Sequence, residues 1–159
     1  MGTKNSDLVA NYEATPPVLN DSSLLHGVMR VAQGTIALAA GDTNDNDIVQ
    51  LAVLPSNATV PHIFVGTDTF GGSCTFNVGL YQTTGVVVDE DLFASAVADA
   101  AALADVRHEA ADINTCGKKL WELAGASSDP GGYYYIAATM QAEGGTGGDM
   151  SFIIHWVTT

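Results

Sequence analysis

From Cys74 to Tyr81 apolar and polar residues alternate without a break. Cys74, Phe76, Val78 and Leu80 point to one side, and Thr75, Asn77, Gly79 and Tyr81 to the other. That two-residue period belongs to a half-buried strand and to no helix. Ahead of it, Val60–Val65 reads as a second strand. Gly71-Gly72-Ser73 between them can take the positive φ of a reversal at no steric cost. With the corner Pro55-Ser56-Asn57, the stretch Leu54–Tyr81 reads as the central hairpin of a β protein, and the rest of the chain has to pack on it or connect to it.

The remaining strands follow from the same period. Gly27–Ala32 and Thr35–Ala39 read as a pair split at Gln33-Gly34 by a hairpin or bend. Asp47–Leu54 resumes after the polar break Gly41–Asn46. Pro61, early in its run, predicts a strand start or an edge. Tyr133–Ala142 and Met150–Val157 close the chain, joined by Gly144–Gly148, with Met150, Phe152, Ile154 and Trp156 on one face. Two brief helices are expected between strands. One starts at Asp89-Glu90-Asp91, with Asp89 as N-cap and Leu92, Phe93, Ala96, Val97 and Ala100 as its apolar stripe. The other covers Gly117–Leu123, with Gly125 placed for a C-terminal cap. Ala101–Asn114 reads equally as helix or short strand, and Ser127–Gly132 as a loop. The fold class expected is mainly β: an antiparallel β-sandwich or jelly-roll-like domain over residues 25–159, with two short helices inserted between strands. Residues 1–24, with Thr15-Pro16-Pro17, read as an extended N-terminal arm ordered against a neighbour, or as a frayed terminus.

Composition narrows the function. The chain has 159 residues, 47% hydrophobic and 14% charged, which suits one folded domain and excludes general disorder. No apolar run approaches the ~18 residues of a membrane span, so no membrane partner is expected. Eighteen acidic residues against five basic ones give a net charge of −13, which repels phosphate backbones and argues against nucleic acid. Cys74, on the apolar face of its strand, reads as a small buried hydrophobe, and a Cys74–Cys116 disulfide stays open.

Motifs for chemistry are weak. Asp42-Thr43-Asn44-Asp45-Asn46-Asp47 has oxygen ligands at calcium-loop positions 1, 3 and 5. It carries Asp47 where the loop needs glycine and Val53 where it needs glutamate, so it reads as a solvated turn. His26, His62, His108 and His155 have no metal-ligand spacing. His62 and His155, both in strands, read as core or interface histidines. Arg107-His108-Glu109 reads as a solvated charge cluster. The glycine-rich stretches lack the lysine or helix that would cradle phosphate. Neither an enzyme nor a cofactor is expected. Consecutive Tyr133, Tyr134 and Tyr135 must alternate in a strand, which leaves at least one ring outside the core, where tyrosine favours protein contacts. These three, with Val9, Tyr12, Pro16 and Pro17 of the arm, are the candidate interface residues.

Leu54-Pro55-Ser56-Asn57-Ala58, Thr67-Asp68, Asn77-Val78-Gly79-Leu80-Tyr81 and Val88-Asp89-Glu90-Asp91-Leu92-Phe93 together resemble a small protein found among tailed-phage and prophage head genes. Gly117-Lys118-Lys119-Leu120-Trp121-Glu122-Leu123 and Asp129-Pro130 continue the likeness, which spans residues 25–157. The resemblance implies a capsid decoration (cement) protein on the outer surface of the virion, bound to the major capsid protein and self-associated as a homotrimer. It brings no catalytic residues. Two rivals are a head–tail or tail-tube component, and a carbohydrate-binding jelly-roll module that would stack sugars on Tyr133–Tyr135 or Trp156 and hold Ca²⁺ at Asp42–Asp47.

Overall fold

The computed structural model describes residues 4–71, 74–108 and 113–158. Eight strands follow a seven-residue helix, α1 (Asp7–Glu13): β1 (Arg30–Leu38), β2 (Ile48–Pro55), β3 (Thr59–Thr67), β4 (Thr75–Gln82), β5 (Val87–Ala98), β6 (Ala104–Asp105), β7 (Tyr133–Met140) and β8 (Gly148–Val157). A one-turn helix, α2 (Leu120–Leu123), precedes β7. The first sheet runs β1-β8-β3-β6 and the second β2-β7-β4-β5, with every pairing antiparallel. Only β4 and β5 are both consecutive and neighbours in one sheet; every other connection crosses the sandwich. Two four-stranded sheets threaded in this way are a jelly roll.

Inner faces meet in one core. Phe76, Val78, Leu80, Ile136 and Met140 of the second sheet face Ile63, Val65, Met150 and Ile154 of the first, all fully buried. The alternation of β4 therefore carries through on the side of Cys74, Phe76, Val78 and Leu80. The other side departs from expectation, because Asn77, Gly79 and Tyr81 are buried too. β5 arches over them. Its register against β4 slips repeatedly, from Phe76↔Val97 to Val78↔Ala94 to Leu80↔Asp89. The arch passes so near that a Cβ on Gly79 would stand 2.3 Å from the carbonyl oxygens of Asp89 and Glu90. Asn77 Oδ1 accepts the Ala96 N–H at 2.8 Å, and the Tyr81 hydroxyl bonds to Thr139 Oγ1.

Several sequence expectations need correction. Asp89–Ala98 is strand, not helix, and Asp99 and Ala100 form a bend. Bulges add residues to one side of the pairing, so buried positions recur in adjacent couples such as Phe93 and Ala94, and the spacing imitates a helical stripe. Ala96 bends the strand at φ 52°. Gln33-Gly34 makes no turn, since β1 runs through it in unbroken register with β8. Leu54–Tyr81 is no hairpin, because β3 and β4 lie in opposite sheets. Gly71 does take φ 81°, while Gly72 and Ser73 lie outside the described residues. Pro61 falls at the bulge between Thr59 and His62, which is how β3 tolerates it between two partner strands. The ambiguous stretch yields β6 and a 3₁₀ turn at Ile113–Thr115, with Ala110 and Glu109 outside the described residues. Of the two short helices, α2 lies between strands as expected; α1 lies in the arm, which is not extended over Asp7–Glu13.

Arg107 is buried rather than solvated, at 1% exposure. Its Nε donates to the Val60 carbonyl at 3.0 Å and Nη1 to Thr115 Oγ1 at 2.9 Å, and its guanidinium lies 4.7 Å over the Phe93 ring. One side chain thus ties β3, the turn before α2 and the arch of β5 together.

Three substitutions test this packing. Gly79→Ala should lower unfolding stability by about 3 kcal/mol, because the arch has no rotamer with which to yield. Gly41→Ala, where an added Cβ meets nothing within 4 Å, should stay within about 0.5 kcal/mol. Arg107→Leu should cost about 3 kcal/mol by leaving the buried Val60 carbonyl without that donor. Urea midpoints with unchanged slopes check all three.

Candidate assembly interface

The arm is folded on itself. Behind α1 the chain turns back, so that Val18 N–H reaches the Asn11 carbonyl at 2.9 Å. Asn11 Nδ2 donates to Asn20 Oδ1 at 2.8 Å, and Asn20 Nδ2 to the Leu8 carbonyl at 3.1 Å. These bonds hold the backbone but cover little: Val9 is 43% exposed, Tyr12 78%, Val18 54% and Leu19 96%. Pro16 and Pro17 are exposed as well. Tyr12, Pro17, Val18 and Leu19 line a cavity of about 270 Å³ with Leu25 and His26.

Its root is pinned to the sandwich. Asp21 caps its own turn, accepting Ser23 N–H at 2.8 Å and Ser23 Oγ–H at 2.7 Å, and receives Lys119 Nζ at 3.0 Å. The Ser23 backbone bond, then the Ser23 hydroxyl, then Lys119, hold its carboxyl down at about 2. Lys119 belongs to the turn leading into α2, where it bridges Thr59 at the start of β3. The arm's root therefore sits at the end of the first sheet where β3 begins.

The tyrosines form a separate surface at the start of β7. Tyr133 is 60% exposed, and Tyr135 lies between Val53 and Tyr81 on the neighbouring strands. Tyr134, half-buried like Tyr135, packs against the edge of the core. None of the three lines the arm's cavity. Trp156 likewise packs on the core, with the Arg30 guanidinium 5.1 Å above its ring, so it offers no open face for stacking a sugar.

The outer face of the first sheet brings His62 and His155, read from the sequence as core or interface histidines, together with residues not singled out there. His62 and His155 stand directly opposite on β3 and β8, with ring centroids 5.9 Å apart and planes at 90°. Phe64 meets His155 edge-on at 5.8 Å. Val31 is 52% exposed and lies opposite His155 on β1, and Leu103 is 47% exposed. Ile153, half-buried, pairs with Phe64. The signal available in the sequence was an apolar residue at an outward position, Ile153, between Ser151 and His155. His62 Nδ1 donates to Asp105 Oδ2 at 2.6 Å. Partial burial alone would raise the Asp105 carboxyl, yet the bonds from His62 and from the Arg107 and Ile63 amides outweigh it and hold the group below its ordinary range.

In the Asp42–Asp47 loop the carboxylates serve the backbone. Asp42 Oδ2 accepts Ala39 N–H and Asp47 Oδ2 accepts Asn44 N–H, each at 2.9 Å. Among the described residues no three His, Cys, Asp or Glu side chains are placed to share a metal ion. Both cysteines are free thiols, Cys74 buried and Cys116 exposed. Burial, with a smaller contribution from Asp99, pushes the Cys74 thiol up.

No family model and no curated protein matches this chain. Among solved structures it is similar to a chain in the capsid of Ralstonia phage GP4, at 16% identity and a TM-score of 0.61, covering 84% of this chain and 86% of that one. A chain in the capsid asymmetric unit of cyanophage Pam1 matches at 13% identity and a TM-score of 0.47, over 84% and 86% of the two chains. At such identity the likeness to the GP4 chain shows a shared mainly β fold.

The arm root should respond to acid in a defined window. Because the folded carboxyl of Asp21 titrates at about 2 against an ordinary 3.8, its contribution is complete above the ordinary value and is lost as pH falls toward 2. Carboxyl-detected NMR should show the low midpoint. Lys119→Ala should recover only a minor part of the shift, since both Ser23 bonds remain; full recovery would mean that the ion pair, not the Asx turn, sets it.

Proposed function

We propose that this chain is a virion structural protein without enzymatic activity: a phage capsid decoration, or cement, protein that binds the outside of the major capsid shell as a homotrimer. The observation that carries the reading is the jelly-roll framework shared with a chain of the GP4 capsid over 84% of this chain. Three further features agree with it. The arm displays apolar side chains on an ordered backbone, as a segment that docks elsewhere would. Polar side chains at the turns and under the arch of β5 serve the fold itself, with Asp42, Asp47 and Asn77 each accepting a backbone N–H. A net charge of −13 would keep decorated particles from adhering to one another.

In this reading residues 25–159 are the body and residues 1–24 the arm, with Val9, Tyr12, Pro16 and Pro17 as its contacts. Tyr133 and Tyr135 offer a second contact surface. Closing copies into a ring also covers β edges that would otherwise pair at random.

An electron-microscopy map of the particle tests the placement. Density for this chain should stand outside a continuous shell; density forming the shell wall itself would overturn the decoration role. Deleting residues 2–20 should reduce particle occupancy at least tenfold while the free protein still folds and unfolds cooperatively on heating. Equal occupancy would remove the arm from the contact.

A further inference from the structure

Two uncovered apolar surfaces do not meet within one chain. One is the folded arm, where Tyr12 is 78% and Leu19 96% exposed. The other is the outer face of the first sheet, where Val31 is 52% and Leu103 47% exposed beside Phe64 and Ile153. Were the arm lying on its own sheet, Tyr12 and Val31 would both be covered.

We propose that the arm of one copy crosses to a second copy and lies on the outer face of that copy's first sheet. The inference rests on reading the chain as a self-associating structural protein, and it names the surface that receives the arm.

Three observations support this occupant. The first is position. A Cβ on Gly27 would stand 2.5 Å from both the Ser22 carbonyl oxygen and Val157 Cγ1, so the arm's root lies against the end of β8. Arg30 pairs there with Trp156, Val31 with His155, and His155 with His62. The root thus lies at the His155 end of the receiving face, and copies meeting at that end can pass arms head-to-tail around a closed ring. The second is hydrogen-bonding chemistry. In a strongly acidic chain this end of the face carries His62 and His155, with Asp105 already bonded to His62. The helix of the arm carries Asp7 and Glu13. Buried Nδ1 of His155 has no hydrogen-bond partner. An unmet acceptor costs less there than an unmet donor, so the proton belongs on Nε2, which can donate to a carboxylate from outside. The third is order. The Asn11–Asn20 and Asn20–Leu8 bonds fix the arm before it docks, which lowers the entropic cost of association.

Cross-linking of full-length chains tests the placement. In a Cys116→Ser background, Tyr12→Cys and Val31→Cys are introduced on separate chains and co-expressed; both positions are exposed, so neither should disturb folding. Leu19→Cys with Leu103→Cys forms an independent second pair. Air oxidation should convert most of the mixed sample to a disulfide-linked species of twice the chain mass, while each variant alone gives little. Light scattering on the reduced sample separates the outcomes. An oligomer without a cross-link in either pair overturns the arm's placement and leaves self-association standing. A monomer overturns self-association and this inference with it. A double variant that closes the disulfide within one chain also overturns the exchange, since the arm then docks on its own sheet.

Discussion

β4 has no face open to water, and the rest of the sandwich is arranged around that constraint. Its inner side chains meet the opposite sheet. Its outer side is closed by β5, which can lie so near only because position 79 has no side chain. The close approach forces β5 out of register, and the bulges carry the chain away from the second sheet to deliver Asp99–Leu103 across β3 at Gly66 and then β6 to the edge of the first. Phe93, placed inward by the arch, becomes the floor under the Arg107 guanidinium. A single glycine contact thus propagates through β5 to the buried arginine and to the turn before α2.

That rigid body contrasts with what it displays. Acidic side chains are occupied in turns: Asp42 and Asp47, of the loop weighed as a calcium site, and Asp21 each accept backbone N–H groups, and Asp129 accepts from Ser56 and Gly131. Apolar side chains also stay exposed on the arm, on the outer face of the first sheet, and at Tyr133 and Val53 on the second. In the proposed reading, these exposed apolar side chains are the ones that meet other chains.

Much of the strand inventory was legible because period-two alternation is a local property. β2, β3, β4, β7 and β8 all fall within a residue or two of their expected limits. The helix expected at Asp89–Ala100 failed for an equally physical reason. Bulges insert residues and break the period, and the resulting couples of apolar residues are indistinguishable from a helical stripe until the partner strand is known. Arg107 was unreadable in the same way. A charge flanked by His108 and Glu109 reads as surface, and only the meeting of Val60, Phe93 and Thr115 around it makes a buried site for a guanidinium.

By itself, then, the sequence determined that this chain builds antiparallel strands with one apolar face each, punctuated at Pro55-Ser56-Asn57, at Gly71 and at Gly144–Gly148, and that it carries an acidic, motif-poor surface. Which sheet each strand joins was decided only in three dimensions. A glycine-rich reversal looks the same whether it closes a hairpin or crosses the core, and here the stretch from Leu54 to Tyr81 crosses, because β3 finds its partners in β8 and β6 while β4 finds them in β7 and β5. The outer-face cluster of His62, Phe64 and His155 arose the same way. Residues some ninety positions apart become neighbours through register, and register is a property of the folded pair, not of either strand alone.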